Sequence, residues 1–180
     1  MSLFHLYAAV QIVPAQVIRP VHVGFVLLLV YLLFPIAPRF RNRLMWWDVV
    51  CAVLGVATIF YLLDGGDDIW DRNVVPTTLD VFFGVAFVLL VLEACRRTVG
   101  WIVGGVILAF LVYAFVGPWL PGQWTHRGYD LAGMSGFLYQ TLEGIFGTTV
   151  EVSSSLIILF TIYGAFLQHS GAGKFFLDFS

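Results

Sequence analysis

Long runs of apolar residues make up most of the chain, and most charged residues lie in the short segments between those runs. A membrane-spanning helix needs roughly 20 mainly apolar residues. Five runs come near that length, at about Pro20–Ile36, Met45–Leu63, Thr77–Ala94, Thr98–Thr125 and Thr149–Gln168, the fourth ending near Pro118. The pattern predicts an all-α integral membrane protein with about five transmembrane helices.

Two further apolar segments are too short to cross a bilayer unaided. Leu3–Ile18 contains Pro14, so we expect it to be interfacial or the remnant of a longer, sixth helix. Leu131–Leu142 follows Asp130, a favourable residue for capping the start of a helix. It is predicted to be a short helix that lies at the membrane surface or enters the membrane and returns.

The composition excludes several classes of protein. Hydrophobic residues make up 60% of the 180 residues and charged residues only 11%, whereas a soluble domain has about 25% charged residues. An ordinary soluble enzyme, a disordered tail and a nucleic-acid-binding protein are therefore excluded. The net charge of -2, without a basic run, agrees with the last exclusion.

Positive charge falls on alternate connections between the predicted spans. Two connections are basic, and they contain Arg39, Arg41, Arg43, Arg96 and Arg97. The two others are acidic, one with Asp64, Asp67, Asp68 and Asp71, and the other reaching from Pro118 to Glu151. The positive-inside rule places the basic connections in the cytoplasm and the acidic ones outside, with Lys174 in the cytoplasm.

Three titratable residues inside or beside the apolar runs are candidates for a polar role. Glu93 precedes Arg96 and Arg97 by three and four residues, so a local ion pair competes with a proton or substrate role. Asp48 is interpreted as an interfacial anchor rather than a buried ion site. His22 is interpreted as an interfacial residue at the outer end of the first span.

Two short motifs are typical of helix starts. Thr77-x-x-Asp80 and Thr148-x-x-Glu151 both match the capping-box pattern, in which side chains at the first turn satisfy free backbone N–H groups. No His, Cys and carboxylate set has the spacing of a metal site, and no Ser, His and Asp set is evident. The sequence predicts no catalytic residue and no metal-binding residue.

Several stretches, read in order, resemble one family. They are Phe4-His5-Leu6-Tyr7, Arg19-Pro20-Val21-His22-Val23-Gly24-Phe25, Glu93-Ala94-Cys95-Arg96-Arg97-Thr98-Val99-Gly100-Trp101, Thr125-His126-Arg127-Gly128-Tyr129, Thr141-Leu142-Glu143-Gly144-Ile145-Phe146-Gly147, Tyr163-Gly164-Ala165-Phe166-Leu167 and Ser170-Gly171-Ala172-Gly173-Lys174-Phe175-Phe176. Together they resemble the fused permeases of the tripartite ATP-independent periplasmic (TRAP) transporters, which join a small four-helix membrane subunit to a large one.

The resemblance implies sodium-coupled uptake of organic acids or related solutes in a bacterial inner membrane. Residues 1–130 would match the small subunit, a membrane scaffold, and residues 131–180 the start of the large subunit. The partners would be a periplasmic solute-binding protein, the remainder of the large subunit and the lipid bilayer, with no nucleic acid. The family's sodium and substrate sites lie further along the large subunit, so the chain is expected to be an N-terminal fragment that holds no cofactor itself.

The outer segment between the fourth and fifth spans is a candidate contact for the binding protein. Its candidate residues are Trp124, His126, Arg127 and Tyr129. An ordinary interfacial loop is the alternative. For the whole chain, the alternative to a permease fragment is a self-contained membrane scaffold or assembly protein without transport activity. A small membrane enzyme is the least favoured class.

Overall fold

The computed structural model describes residues 1–36, 45–172 and 179, and within these ranges the chain contains helices and turns but no strand. The helices are α1 (Ser2–Val10), α2 (Ala15–Leu33), α3 (Trp46–Asp64), α4 (Gly66–Asp71), α5 (Thr78–Thr98), α6 (Trp101–Val116), α7 (Leu131–Tyr139) and α8 (Thr148–Ser170). Short 3-10 turns cover Arg72–Val74, Gly117–Trp119 and Gly122–Trp124. The predicted all-α class is confirmed.

Five of these helices are long and apolar enough to cross a membrane, which confirms the predicted number. They are α2, α3, α5, α8 and α6 with the 3-10 turn that continues it to Trp119. The first span starts earlier than predicted, at Ala15, with Pro14 as its N-cap residue. Pro20 lies inside α2 and is buried.

The N-terminal apolar segment is divided at Pro14. Its first part forms α1, and its last residues belong to α2. The break brings α1 back onto the start of α2, where Phe4 packs against Phe25 with ring centroids 6.1 Å apart. The segment is therefore packed on the protein rather than isolated at the interface.

The core of the protein is a bundle of α2, α3 and α5. Helix α2 packs most extensively on α3, and one glycine on each helix permits the close approach. A Cβ at Gly24 would meet Ile59 at 3.3 Å, and a Cβ at Gly55 would meet Leu27 at 3.5 Å. Helix α5 completes the bundle, and its buried Phe87 and Leu90 join the same hydrophobic cluster.

Helix α7 is short, as predicted, and begins with the predicted cap, in which the Asp130 carboxylate accepts from the Gly133 N–H at 3.2 Å. It packs against α5, and the buried Tyr139 hydroxyl donates to the carbonyl of Thr58, within α3. It thus packs into the bundle, and the choice between a surface helix and a re-entrant one stays a prediction.

The segment that returns from α7 to α8, residues 140–147, satisfies its polar backbone groups locally. Thr141 Oγ1 accepts from the N–H groups of Glu143 and Gly144, and the N–H of Ile145 donates to Leu138. Phe146 is completely buried. Non-helical backbone is tolerated beside a bilayer where protein groups provide its hydrogen bonds, as they do here.

Helices α6 and α8 lie outside the bundle. No residue of α6 is buried, and within α8 the one buried residue is Ser154, in the π-helical stretch Ser153–Ile157. Both helices expose large apolar side chains, as expected for surfaces that face lipid or other membrane helices. The predicted cytoplasmic residues Arg39, Arg41, Arg43 and Lys174 lie outside the described residues.

Replacing Gly136 by Ala is expected to destabilise the chain by about 2 kcal/mol, because overpacking costs about 1–3 kcal/mol. A Cβ at Gly136 would lie 2.1 Å from the carbonyl oxygen of Asn73, so α7 must move away from the α4–α5 connection. The matched control is Gly105→Ala in α6, where a Cβ meets nothing within 4 Å. Thermal unfolding of the purified chain in detergent should show a lower Tm for Gly136→Ala alone; equal values for both variants would contradict the packing described here.

Candidate functional site

Arg97 lies at the centre of a buried ionic cluster at one end of the bundle. Its guanidinium donates to Asp48 at 2.6 Å, to Glu93 at 2.8 Å and to the carbonyl of Phe34 at 3.1 Å. It also lies 4.8 Å from the ring centre of Tyr31, a cation–π contact. Helices α2, α3 and α5 all contribute to this set, which we call the Arg97 cluster.

Glu93 forms the local ion pairs that its spacing predicts. Its carboxylate accepts two hydrogen bonds from Arg96, both at 2.6 Å, and one from Arg97. Arg96 additionally donates to the carbonyl of Ile36 at 3.3 Å. Both carboxylate oxygens of Glu93 are thus occupied by arginines.

The interpretation of Asp48 as an interfacial anchor stays a prediction, but the structure shows that its carboxylate is buried in an ion pair. Its side chain and that of Arg97 are each only 1% exposed, and the two residues form an ion pair between α3 and α5. The pairing arises because α3 and α5 run antiparallel, which places the start of α3 beside the end of α5. Asp48 also accepts from the backbone N–H of Met45 at 3.2 Å, so it caps α3 as well.

A second ionic cluster, the Asp80 cluster, lies at the opposite end of the bundle. The completely buried Asp80 carboxylate accepts from the Tyr61 hydroxyl at 2.7 Å and from the Arg72 guanidinium at 2.8 and 3.2 Å. It also accepts from the Thr77 N–H, which confirms the predicted capping box at the start of α5. The bond to Asp80 raises the pKa of Arg72 above its ordinary value.

The third polar group is a chain of two histidines and a serine that joins α1, α2 and α8. The Met1 carbonyl can only accept a hydrogen bond, so Nδ1 of His5 donates to it at 2.9 Å. With both rings neutral, Nε2 of His5 accepts from Nδ1 of His22 at 2.9 Å, and Nε2 of His22 accepts from the Ser153 hydroxyl at 3.1 Å. Each ring nitrogen of the two histidines therefore has a hydrogen-bond partner.

The position of His22 at the membrane interface stays a prediction, but its side chain is almost completely buried within the protein, with 4% of the residue exposed. The break at Pro14 brings His5 onto it, and Ser153 covers its other ring nitrogen. The sequence reasoning missed His5 and Ser153 as its partners. Neither His5 nor Ser153 is close to His22 in sequence, so local spacing gives no signal for these contacts.

Arg19 adds an ion pair beside this chain. Its guanidinium contacts the Glu151 carboxylate at 3.0 Å and donates to the Phe146 carbonyl at 3.1 Å. The predicted capping box of Thr148 and Glu151 is therefore wrong, since Gly147 holds the cap position and receives no side-chain bond. An ionised carboxylate binds a guanidinium more strongly than a backbone N–H, which explains why Glu151 turns to Arg19.

Of the four residues predicted to contact the binding protein, one has a structural role and three are exposed. The imidazole of His126 donates from Nε2 to the Tyr113 carbonyl at 3.1 Å and accepts at Nδ1 from the Gly128 N–H at 3.1 Å, which folds the segment back onto the end of α6. Trp124, Arg127 and Tyr129 are exposed beside it. These three make up what we call the Trp124 surface.

No group of three His, Cys, Asp or Glu side chains within residues 1–36, 45–172 and 179 could hold a metal ion. The three polar groups described above share one character instead. Each pairs its charges or hydrogen-bonding atoms internally, and each joins at least two helices.

Comparison with known proteins gives one match. The chain is similar to the family model for the DctM component of the tripartite ATP-independent periplasmic transporter over residues 86–180, more than half of its length. The match begins inside α5, upstream of the predicted boundary at residue 131, which stays a prediction. No curated protein and no solved structure matches the chain.

Asp48→Asn is expected to destabilise the chain by about 3 kcal/mol, because removing one member of a buried ion pair leaves the other charge uncompensated. Glu93→Gln should cost less, since Glu93 is 28% exposed and Asp48 still neutralises Arg97. Thermal unfolding in detergent, with both variants compared to the unaltered chain, provides the measurement. A larger loss for Glu93→Gln would show that Asp48 is not the principal partner of Arg97.

Proposed function

The chain belongs to the DctM family of tripartite ATP-independent periplasmic transporters, and from this membership we propose that it forms part of a sodium-coupled permease for organic acids in a bacterial inner membrane. It is a multi-pass membrane protein with five candidate spans. The family match over residues 86–180 is the single observation that carries the proposal. A permease moves its solute without altering it, so we propose no enzymatic activity.

We assign the bundle of α2, α3 and α5 to the scaffold of this permease. A scaffold must keep its helices fixed while other helices move. This bundle is joined at one end by the Asp48–Arg97 ion pair and at the other by the hydrogen bond from Tyr61 of α3 to the buried Asp80 carboxylate of α5. Breaking the buried Asp48–Arg97 pair would cost several kcal/mol, so the helices of the bundle move together. The moving, sodium-binding and substrate-binding elements are assigned to the remainder of the large subunit, beyond this chain.

The Trp124 surface is the proposed contact for the periplasmic binding protein. Exposed tryptophan, tyrosine and arginine side chains are the types most often found at the centres of protein interfaces. The hydrogen bonds around His126 and α6 hold this surface on a folded segment rather than a loose one. By the positive-inside rule it faces the periplasm, where the binding protein resides.

The proposal predicts that uptake by the permease containing this chain requires both a sodium gradient and the binding protein. The solute for the assay is the organic acid that most raises the Tm of the binding protein in a thermal-shift screen. Uptake of that radiolabelled acid into proteoliposomes should fall to background when either requirement is removed, and the chain alone should show none. Equal uptake with a potassium gradient, or without the binding protein, would contradict the proposal.

The double change Trp124→Ala and Arg127→Ala in that permease should raise the binding-protein concentration needed for half-maximal uptake about tenfold, because each lost interface contact is worth about 1 kcal/mol or more. The matched control is Trp46→Ala, which removes an equally exposed tryptophan at the opposite end of the bundle. The control should leave the concentration unchanged. An unchanged value for the double variant would remove the Trp124 surface from the proposal.

A further inference from the structure

Two adjoining cavities meet at the turn between α5 and α6. The first, of about 430 Å³, is lined by residues 33–36 at the end of α2 and by Arg96, Arg97 and Trp101. The second, of about 300 Å³, shares Arg96 and Trp101 and continues between α5 and α6. Because this turn joins two candidate spans, the shared residues lie at the boundary between hydrocarbon and headgroups.

The second cavity is an apolar groove that exists because two neighbouring residues of α6 lack side chains. A Cβ at Gly104 or at Gly105 would meet nothing within 4 Å. Leu89 and Leu92 of α5 and Leu108 of α6 form its walls. The groove is thus open between the two helices, and apart from Glu93 and Arg96 its lining is apolar.

The first cavity combines an apolar lining with two charged residues. Its charged lining residues are Arg96 and Arg97, and Arg97 is fully engaged by Asp48, Glu93 and the Phe34 carbonyl. Arg96 is the accessible cation, with 20% of its side chain exposed. Trp101, 75% exposed, stacks with the Arg96 guanidinium at 5.0 Å and adds an indole N–H donor at the same mouth.

We propose that the two cavities together bind one anionic glycerophospholipid. Its phosphate contacts Arg96 and the Trp101 indole, and one acyl chain lies along Gly104 and Gly105 in the groove. The guanidinium of Arg96 can donate to the phosphate, and the apolar groove matches an acyl chain at the depth where that chain would lie. The lipid would fill the space between α5 and α6. No residue of α6 is buried by the rest of the protein.

Glu93 is the acid nearest to this site and lines the groove at its junction with the first cavity. Its two oxygens are already paired with Arg96 and Arg97, so its charge is balanced within the Arg97 cluster. The cavity that would receive the headgroup is lined by the two arginines and by no acid among the residues that the structure describes. An anionic headgroup is therefore favoured over a zwitterionic one.

The test measures phospholipid binding to the purified full chain in detergent by native mass spectrometry. Dioleoyl-phosphatidylglycerol is titrated against dioleoyl-phosphatidylcholine, and the chain should prefer the anionic lipid about fivefold, the factor expected for one arginine near a membrane surface. Arg96→Gln should abolish that preference. Gly105→Leu should remove binding of both lipids, because its side chain fills the groove.

Gly164→Leu is the matched control for the groove variant, since a Cβ at Gly164 in α8 also meets nothing within 4 Å; it should bind both lipids like the unaltered chain. If Gly105→Leu does not give a monodisperse protein, Gly104→Leu replaces it, and the lipid preference of the unaltered chain still decides. Equal binding of the two lipids, or unchanged binding by the groove variant, overturns the proposal. The proposal is also overturned if a permease that contains this chain retains no phospholipid, because another of its helices would then cover the groove.

Discussion

The buried guanidinium of Arg97 is the constraint on which the arrangement of the bundle depends. A cation at 1% exposure must be neutralised and hydrogen-bonded, since leaving it unpaired costs several kcal/mol. Its partners come from three helices: the Phe34 carbonyl and Tyr31 ring from α2, Asp48 from α3 and Glu93 from α5. Satisfying this one side chain therefore fixes how the three helices meet at that end.

The same requirement acts at the other end with the sign of the charge reversed. There the buried group is the Asp80 carboxylate, and its partners are Tyr61 from α3 and Arg72 from the α4–α5 connection. Between the two ends the contacts are apolar and close, with glycines at the α2–α3 crossing. A bundle with a buried charge to satisfy at each end has little freedom to slide, and this rigidity is the physical property that the proposed scaffold role uses.

The sequence predicted contacts that are local and missed those that are not. Five apolar runs are sufficient to find five spans, and the spacing of Glu93 to Arg96 and Arg97 is sufficient to find their ion pairs, because residues three and four apart share one face of a helix. Asp48 and Arg97 are 49 residues apart, and no periodicity links them. The residues of the Trp124 surface were predicted from their types alone. The structural role of His126 beside them was missed, because it depends on the carbonyl of Tyr113, 13 residues away.

The two capping motifs show most clearly that a local sequence pattern does not predict a distant contact. Thr77 and Asp80 form the predicted box and Thr148 and Glu151 do not, although the two patterns are the same. Asp80 keeps its local bonds because Arg72 approaches from the side and leaves the Thr77 N–H in reach. Glu151 is drawn away by Arg19, whose position depends on α2.

Arg19 also shows how the parts of the chain are joined. It binds both the returning segment, through the Phe146 carbonyl, and the start of α8, through Glu151. The predicted boundary at residue 131 lies between α6 and α7, yet Tyr139 and Phe146 are buried in one cluster with Phe87 of α5. Residues on both sides of that boundary share one core, so in the proposed permease the segment from residue 131 to the start of α8 is held by the scaffold, and any element that moves lies after it.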